Sequence, residues 1–197
     1  MAQQAPLRNN PILILVIAFC GCNAPGTRVH IHGMLVNKNE QSLKMVNGIL
    51  NANNKPFSGT VFTLFAGTTD TAELATYLQG KEHGEWKQFY PSKKLMERRY
   101  FKEGQKTGEY LAWWENGNKR LQYFFLADEY EGACREWNEA GLLTKEMNYT
   151  KGHEDGSQQC WYDNGKIKAN YIIKNGRRYG LLGTKNCINV SDSIFKN

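Results

Sequence analysis

The chain is poor in what packed helices and catalytic centres require. No stretch sustains an i, i+3, i+4 apolar series long enough to bury a helix. The longest mostly apolar run, 11–19, has nine residues, whereas a bilayer span takes roughly 20. There is no Cys-x-x-Cys, so the common zinc frameworks are not expected. Gly-x-Ser-x-Gly, a phosphate-cradling glycine loop before a helix, and a paired Cys/His setting are missing as well. Carboxylates are scattered, and no pair recurs in a way that suggests acid/base work. Between residues 59 and 180 there are 18 Lys/Arg against 17 Asp/Glu. No basic stripe therefore marks the middle of the chain for nucleic acid, and five of the six net positive charges come from the flanks. His30-Ile31-His32 places two imidazoles on one face of a strand, but no third ligand matches them. The expectation is a non-enzymatic protein with no cofactor and no metal.

What is present is a repeat. Gly59, Gly84, Gly108, Gly132, Gly156 and Gly180 lie 25, 24, 24, 24 and 24 residues apart. Five residues after a repeat glycine come Leu64, Phe89, Trp113, Trp137 and Trp161. Gly80, Gly104, Asp128, Gly152 and Gly176 share a second phase. A fixed period in this range means small supersecondary units that complete their core by stacking on neighbours.

The units read as strands. Segments 85–90, 109–114 and 157–162 are short and rich in aromatics. Asn116-Gly117 and Asn164-Gly165 follow the later two, and an Asn-Gly pair between apolar runs signals a two-residue type I′ hairpin. Each unit then reads strand, tight turn, strand, polar connection. With Asn116-Gly117 at the corners, Trp114 faces Lys119 and Trp113 faces Arg120. One face then collects Trp86, Tyr90, Leu95, Tyr110, Ala112, Trp114, Lys119, Leu121, Tyr123, Phe125, Tyr162 and Ile167. The other is mixed, with Trp113, Arg120 and Phe124 on it, and a one-residue slip would exchange the two. A lone sheet with an apolar face must cover it, coil it inward or offer it to a partner. Trp86, Tyr90, Tyr110, Trp114, Tyr123 and Tyr162 are the expected partner-binding residues.

The N-terminus reads as an export signal. Arg8 precedes the nine-residue apolar run, which leads into Cys20-Gly21-Cys22. Gly21-Cys22 resembles the lipobox of bacterial lipoproteins, with Phe19 where leucine is usual. That resemblance implies a signal peptide over 1–21, lipid attachment at Cys22 and a tether over 22–27. Acyl chains on Cys22 would hold the protein at a membrane of the cell envelope. Segment 28–58 is expected to cap the sheet, with strands around 29–36 and 43–50, and 181–197 to form a C-terminal cap or tail. Cys134 and Cys160 fall on first strands of adjacent repeats, roughly 10 Å apart at about 4.8 Å per strand step. That exceeds the reach of a disulfide.

Residues 84–90 (Gly-Glu-Trp-Lys-Gln-Phe-Tyr), 108–117 (Gly-Glu-Tyr-Leu-Ala-Trp-Trp-Glu-Asn-Gly) and 160–168 (Cys-Trp-Tyr-Asp-Asn-Gly-Lys-Ile-Lys) resemble the variant MORN (membrane occupation and recognition nexus) repeat. Lys55-Pro56-Phe57-Ser58-Gly59 resembles the opening before a first such repeat. The fourth unit departs from the pattern, with Asn138 at an aromatic position and Ala140-Gly141 at the turn. The expected fold is all-β: an elongated antiparallel meander of five tandem hairpins over 59–180. Proteins of this kind resemble the YwqK-type antitoxin family of toxin–antitoxin systems, which implies capture of a protein partner, a toxin among the candidates. A scaffold binding a protein or envelope component, an immunity protein and a structural envelope spacer are the three functions that fit.

Overall fold

A computed structural model describes residues 34–181. The expected signal peptide, Cys22 with its tether, His30, His32, Cys187 and the C-terminal tail lie outside the described residues. Every helix or strand in the described span is a strand. Ahead of the repeats come β1 (Met34–Asn37), β2 (Leu43–Val46), β3 (Ile49–Ala52) and β4 (Lys55–Pro56). The first repeat is β5 (Gly59–Leu64) with β6 (Thr71–Leu78), and the second is β7 (Lys81–Phe89) with β8 (Leu95–Lys102). The third comprises β9 (Gln105–Lys106), β10 (Gly108–Trp113) and β11 (Lys119–Leu126). The fourth comprises β12 (Glu129–Tyr130), β13 (Gly132–Trp137) and β14 (Leu143–Thr150). The fifth is β15 (His153–Trp161) with β16 (Ile167–Lys174), and β17 (Arg177–Leu181) follows it. From β5 onward the main strands pair in chain order within one sheet, as tandem hairpins should. One departure precedes them. β1 joins the same sheet parallel to β5, with Met34 opposite Gly59 and Asn37 opposite Phe62.

The two kinds of corner are the reverse of the sequence expectation. At Asn116-Gly117 the Gly117 N–H donates to the Trp114 carbonyl, and the Trp114 N–H to the Asn118 carbonyl, both at 2.8 Å. Gly117 has φ +95°, whereas Asn116 is not in the left-handed region. This is a three-residue loop, a type I turn followed by a left-handed glycine, and not a type I′ pair. Tyr90/Lys94, Asn138/Leu142 and Tyr162/Lys166 close their loops with the same bond. The two-residue corners lie between repeats. Positive φ at both residues marks Gln79-Gly80, Glu103-Gly104, Ala127-Asp128, Lys151-Gly152 and Asn175-Gly176. That conformation matches the twist of the flanking strands, so what reads as a polar connection is a tight turn.

The longer loop displaces the register by one residue, and a bulge restores it. Trp113 pairs with Lys119 while Ala112 pairs with Leu121, leaving Arg120 as the extra residue. The same shift follows Leu64, Phe89, Trp137 and Trp161, with Ala72, Met96, Thr144 and Lys168 as the extra residues. The face assignment therefore holds along the body of the strands and changes beside the turns. Arg120 and Lys168 join the face of Trp114 and Tyr162. Lys119, Leu95 and Ile167 leave it, because they pair with Trp113, Phe89 and Trp161.

The periodic glycines mark a second bulge. From Tyr149↔Glu154 to Met147↔Gln158, β15 advances four residues while β14 retreats two. Gly156, at φ +77°, lies inside that excess, a conformation that L side chains adopt at a cost.

Residues 43–56 fold into the small sheet β2-β3-β4 and cap the first repeat. Leu50, Phe57 and Val61 are buried together, with Val36, Leu43, Ala52 and Tyr77 packed around them. Backbone bonds fuse this cap to the first tight turn: Leu50 N–H to the Gly80 carbonyl at 2.8 Å and Gly80 N–H to the Phe57 carbonyl at 2.7 Å. Val61 pairs with Ala75, and Ala75 with Trp86, so the cap covers the beginning of the ring-bearing face.

Candidate functional site

On the ring-bearing face each side chain's place follows from the cross-strand register. One row passes through Trp86, Arg99, Tyr110 and Tyr123 to Cys134 and Met147. A neighbouring row sets Phe101 opposite Gly84, Phe125 opposite Gly108 and Tyr149 opposite Gly132. A ring facing a glycine lies over bare backbone, which shields the strand where it has no side chain of its own. The rings touch in series: Tyr110 with Tyr123 at 6.0 Å between centroids, Tyr123 with Tyr130 at 5.5 Å, and Tyr130 with Tyr149 at 5.2 Å. Most are half-buried, and Tyr162 is 42% exposed. Among the described residues neither a helix nor a second sheet lies over repeats two to five.

Charge on this face centres on Glu97, which is buried. Its carboxylate accepts from Tyr110 Oη at 2.6 Å, pairs with Arg99 and lies 3.8 Å from Arg120. Arg99 stands over Trp86 at 5.0 Å and Tyr110 at 4.7 Å, and Arg120 stands over Trp114 at 5.8 Å. Each guanidinium is thus held by an anion and by rings. Burial, then the hydrogen bond to Glu97, pushes the Tyr110 phenol up to about 12. A second polar group forms one repeat on, where Glu136 accepts from Tyr123 and from Lys145 at 2.8 Å. Burial raises the Glu136 carboxyl, but those two donors outweigh it and hold the group below the usual carboxylate range. Burial likewise pushes the Cys134 and Cys160 thiols up, and both are free. Neither is an activated nucleophile. Among the described residues no group of three His, Cys, Asp or Glu side chains is placed to hold a metal ion.

The six expected partner-binding residues do share this face, but four of them also hold it together. Tyr90 Oη donates to the Trp113 carbonyl at 2.8 Å, and Trp114 Nε1 to the Trp137 carbonyl at 3.0 Å. Tyr110 and Tyr123 bind Glu97 and Glu136. Trp86 keeps a buried N–H with no hydrogen-bond partner among the described residues, as do the Nε–H groups of Arg98, Arg99 and Arg120. The sequence reading missed the cations, because Arg120 and Lys168 change faces through the bulge. Their 24-residue phase with Met96 and Thr144 was the available signal. The opposite face is mixed: it carries charge pairs, Arg98 to Glu109 at 3.4 Å and Arg135 to Glu146 at 3.0 Å, beside the buried Leu111 and the half-buried rings of Trp113 and Phe124.

Where Asn138 and Thr144 replace the ring and cation of the neighbouring repeats, the ring-bearing face opens into a concavity of about 650 Å³. Trp114 and Arg120 line one side, and Tyr162 and Lys168 the other.

No curated protein matches this chain. Among solved structures it is similar to an S. aureus TarM mutant in complex with fondaparinux, alpha-GlcNAc-glycerol and UDP. The identity is 13% and the TM-score 0.30, over 50% of this chain and 20% of that one, so this chain spans about a fifth of its length. Residues 82–103 and 154–175 match the family model described as MORN repeat variant. These are the hairpins of the second and fifth repeats, and at both of them the chain carries MORN-variant repeats.

Proposed function

We propose that this protein is a non-enzymatic, membrane-anchored repeat scaffold of the cell envelope that captures a protein partner on its ring-bearing face. The observation that carries this reading is the unbroken series of half-buried rings from Tyr110 to Tyr149 with no described layer above it. Aromatic rings bring large contact area at little conformational cost, and here hydrogen bonds to Glu97 and Glu136 fix them in advance. Anchoring rests on the short apolar run and on Gly21-Cys22. A toxin as the partner follows from the repeat resemblance, and co-expression with the product of an adjacent gene tests it.

The main test is site-specific photo-crosslinking in intact envelopes. A photoactivatable side chain replacing Trp86 or Tyr130 is expected to yield a discrete adduct, and one replacing Lys87 or Glu146 on the charged face is not. Adducts from both faces alike, or from the charged face only, would refute the reading. For the anchor, Cys22→Ser is expected to abolish incorporation of labelled palmitate and to release the protein from membranes.

A further inference from the structure

We infer that the concavity between Trp114 and Tyr162 binds a neutral, β-linked oligosaccharide. The site exists because one repeat breaks step. At its ring position the second, third and fifth repeats carry Tyr90, Trp114 and Tyr162, and the fourth carries Asn138. At the bulge position the third and fifth carry Arg120 and Lys168, and the fourth carries Thr144. Deleting one ring and one cation from the row leaves a trough bounded by a ring–cation pair at each end. Arg120 lies 5.8 Å from the Trp114 ring and Lys168 5.8 Å from the Tyr162 ring. Two repeats make four strand steps, so the pairs stand roughly 19 Å apart. The volume, about 650 Å³, lies within the usual range of ligand sites.

The chemistry of the lining selects the ligand. Rings at both ends offer negative faces to the C–H faces of sugar rings. Between them Asn138 Nδ2 donates to Asp163 at 3.1 Å and Thr144 Oγ1 to the Glu136 carbonyl at 3.2 Å. That leaves the second amide N–H, the hydroxyl lone pairs and the remaining oxygens of the Glu139 and Asp163 carboxylates for a ligand. Sugar hydroxyls both donate and accept, which suits this mixture. Neither sign of charge prevails: Arg120 lies near Glu97, Glu136 is bonded to Lys145, and Lys168 shares the trough with Asp163 and Glu139. An acidic or basic polymer would meet like charges along its length, whereas a neutral one meets none. An extended peptide finds no main-chain pairing here. The floor is the face of a paired sheet whose backbone groups are spent in the ladders, so the main-chain pairing that edges offer to peptides is unavailable. A β-linked chain is flat and straight enough to lie along the trough, and Trp114 is held in place by its bond to the Trp137 carbonyl.

This site shares Trp114, Tyr123 and Tyr162 with the face proposed for protein capture, but not Trp86 or Tyr130, whose crosslinks test that capture, so either reading can fail without the other. The experiment is a calorimetric and tryptophan-fluorescence titration of the full chain with cellohexaose and with the β-1,4 hexamer of N-acetylglucosamine. Maltohexaose and a poly-glutamate peptide serve as comparisons. At least one β-linked hexamer is expected to bind, at least about tenfold more tightly than maltohexaose and with little dependence on salt. Asn138→Tyr restores the ring that other repeats carry and fills the trough. It is expected to weaken binding about tenfold or more while the chain stays folded, although it gives up the Asn138 bonds to the Leu142 N–H and to Asp163. Trp114→Ala should weaken it similarly. Three results would overturn the inference: no binding by either β-linked hexamer up to its solubility, binding unchanged in Asn138→Tyr, or salt-dependent binding of poly-glutamate in preference to both.

Discussion

The Trp114 indole N–H donates to the carbonyl of Trp137, in the next repeat, at 3.0 Å. Tyr90 makes the equivalent bond to the Trp113 carbonyl at 2.8 Å, so the same corner ties successive hairpins together. Trp114→Phe and Tyr90→Phe keep a ring and remove the donor. Each is expected to cost about 1 kcal/mol, the usual net worth of such a bond. The Tyr90 bond ends on the peptide that carries Trp114, so the two losses are expected to couple, and the double variant measures by how much. Urea unfolding with an unchanged slope is the measurement.

Glu97 is the anion on which two guanidiniums and a phenol converge. Glu97→Ala strands Arg99 and Arg120 among rings with no counter-charge. The expected loss is about 2–3 kcal/mol, below the 3–5 of fully buried pairs because both arginines keep some exposure. Glu97→Gln, which still accepts from Tyr110, should lose less. If Gln behaves like the unsubstituted chain, the charge contributes nothing to stability; if Ala and Gln behave alike, the charge accounts for the whole loss.

Stability should depend on pH at both ends of the scale. Glu136 has a lowered pKa in the folded state. Its contribution is therefore complete above the unfolded value of about 4.3 and disappears as pH falls through the folded one. Tyr110 is raised to about 12, so its contribution is complete below the unfolded value of about 10 and disappears between there and about 12. Denaturant midpoints measured from pH 3 to 7 should fall on the acid side, and Glu136→Gln should flatten that limb. A spectroscopic titration should show Tyr110 ionising late, as Tyr171 and Tyr123 also do, and Tyr110→Phe should make that late step smaller by one phenol.

Much of this was legible in the sequence, and the part that was not has a specific cause. The 24-residue beat and the alternation of Tyr110, Ala112, Leu121 and Tyr123 fixed the all-β meander and the body of the register. The corners were misread because Asn-Gly suits two geometries, occupying both positions of a type I′ turn or the last two of a three-residue loop. Gln79-Gly80 and Lys151-Gly152 adopt the tight turn without an asparagine to announce it. That slip alone placed Arg120 beside Trp113, where the bulge sets it over Trp114. The parallel pairing of β1 with β5 involves residues far apart in the chain, which no local pattern encodes.

Ala127-Asp128 is the tight turn least suited to its conformation. Both residues have positive φ, +50° and +70°, and neither is glycine. Asp128 is retained by its carboxylate, which accepts the Lys106 N–H at 2.9 Å. Ala127 has no such bond to offset the strain. Ala127→Asn puts there the residue that Asn175 provides at the equivalent corner, and should stabilise the fold by about 0.5–1 kcal/mol.

Gly80 and Gly84 have nearly the same φ, +78° and +81°, but their surroundings differ. A Cβ on Gly84 would meet nothing within 4 Å, so Gly84→Ala carries the conformational cost alone, about 1–2 kcal/mol. A Cβ on Gly80 would lie 2.6 Å from the Leu50 carbonyl oxygen and against the Ile49 side chain. Backbone cannot yield there without breaking the Leu50–Gly80 and Gly80–Phe57 bonds that fuse the cap to the first turn. Gly80→Ala should therefore cost clearly more than Gly84→Ala and act locally. Hydrogen exchange should accelerate at Leu50 and Phe57 and remain slow at Met147 and Tyr171. Equal losses in the two variants, with uniform exchange along the chain, would show that the cap is held by its apolar cluster and not by this close approach.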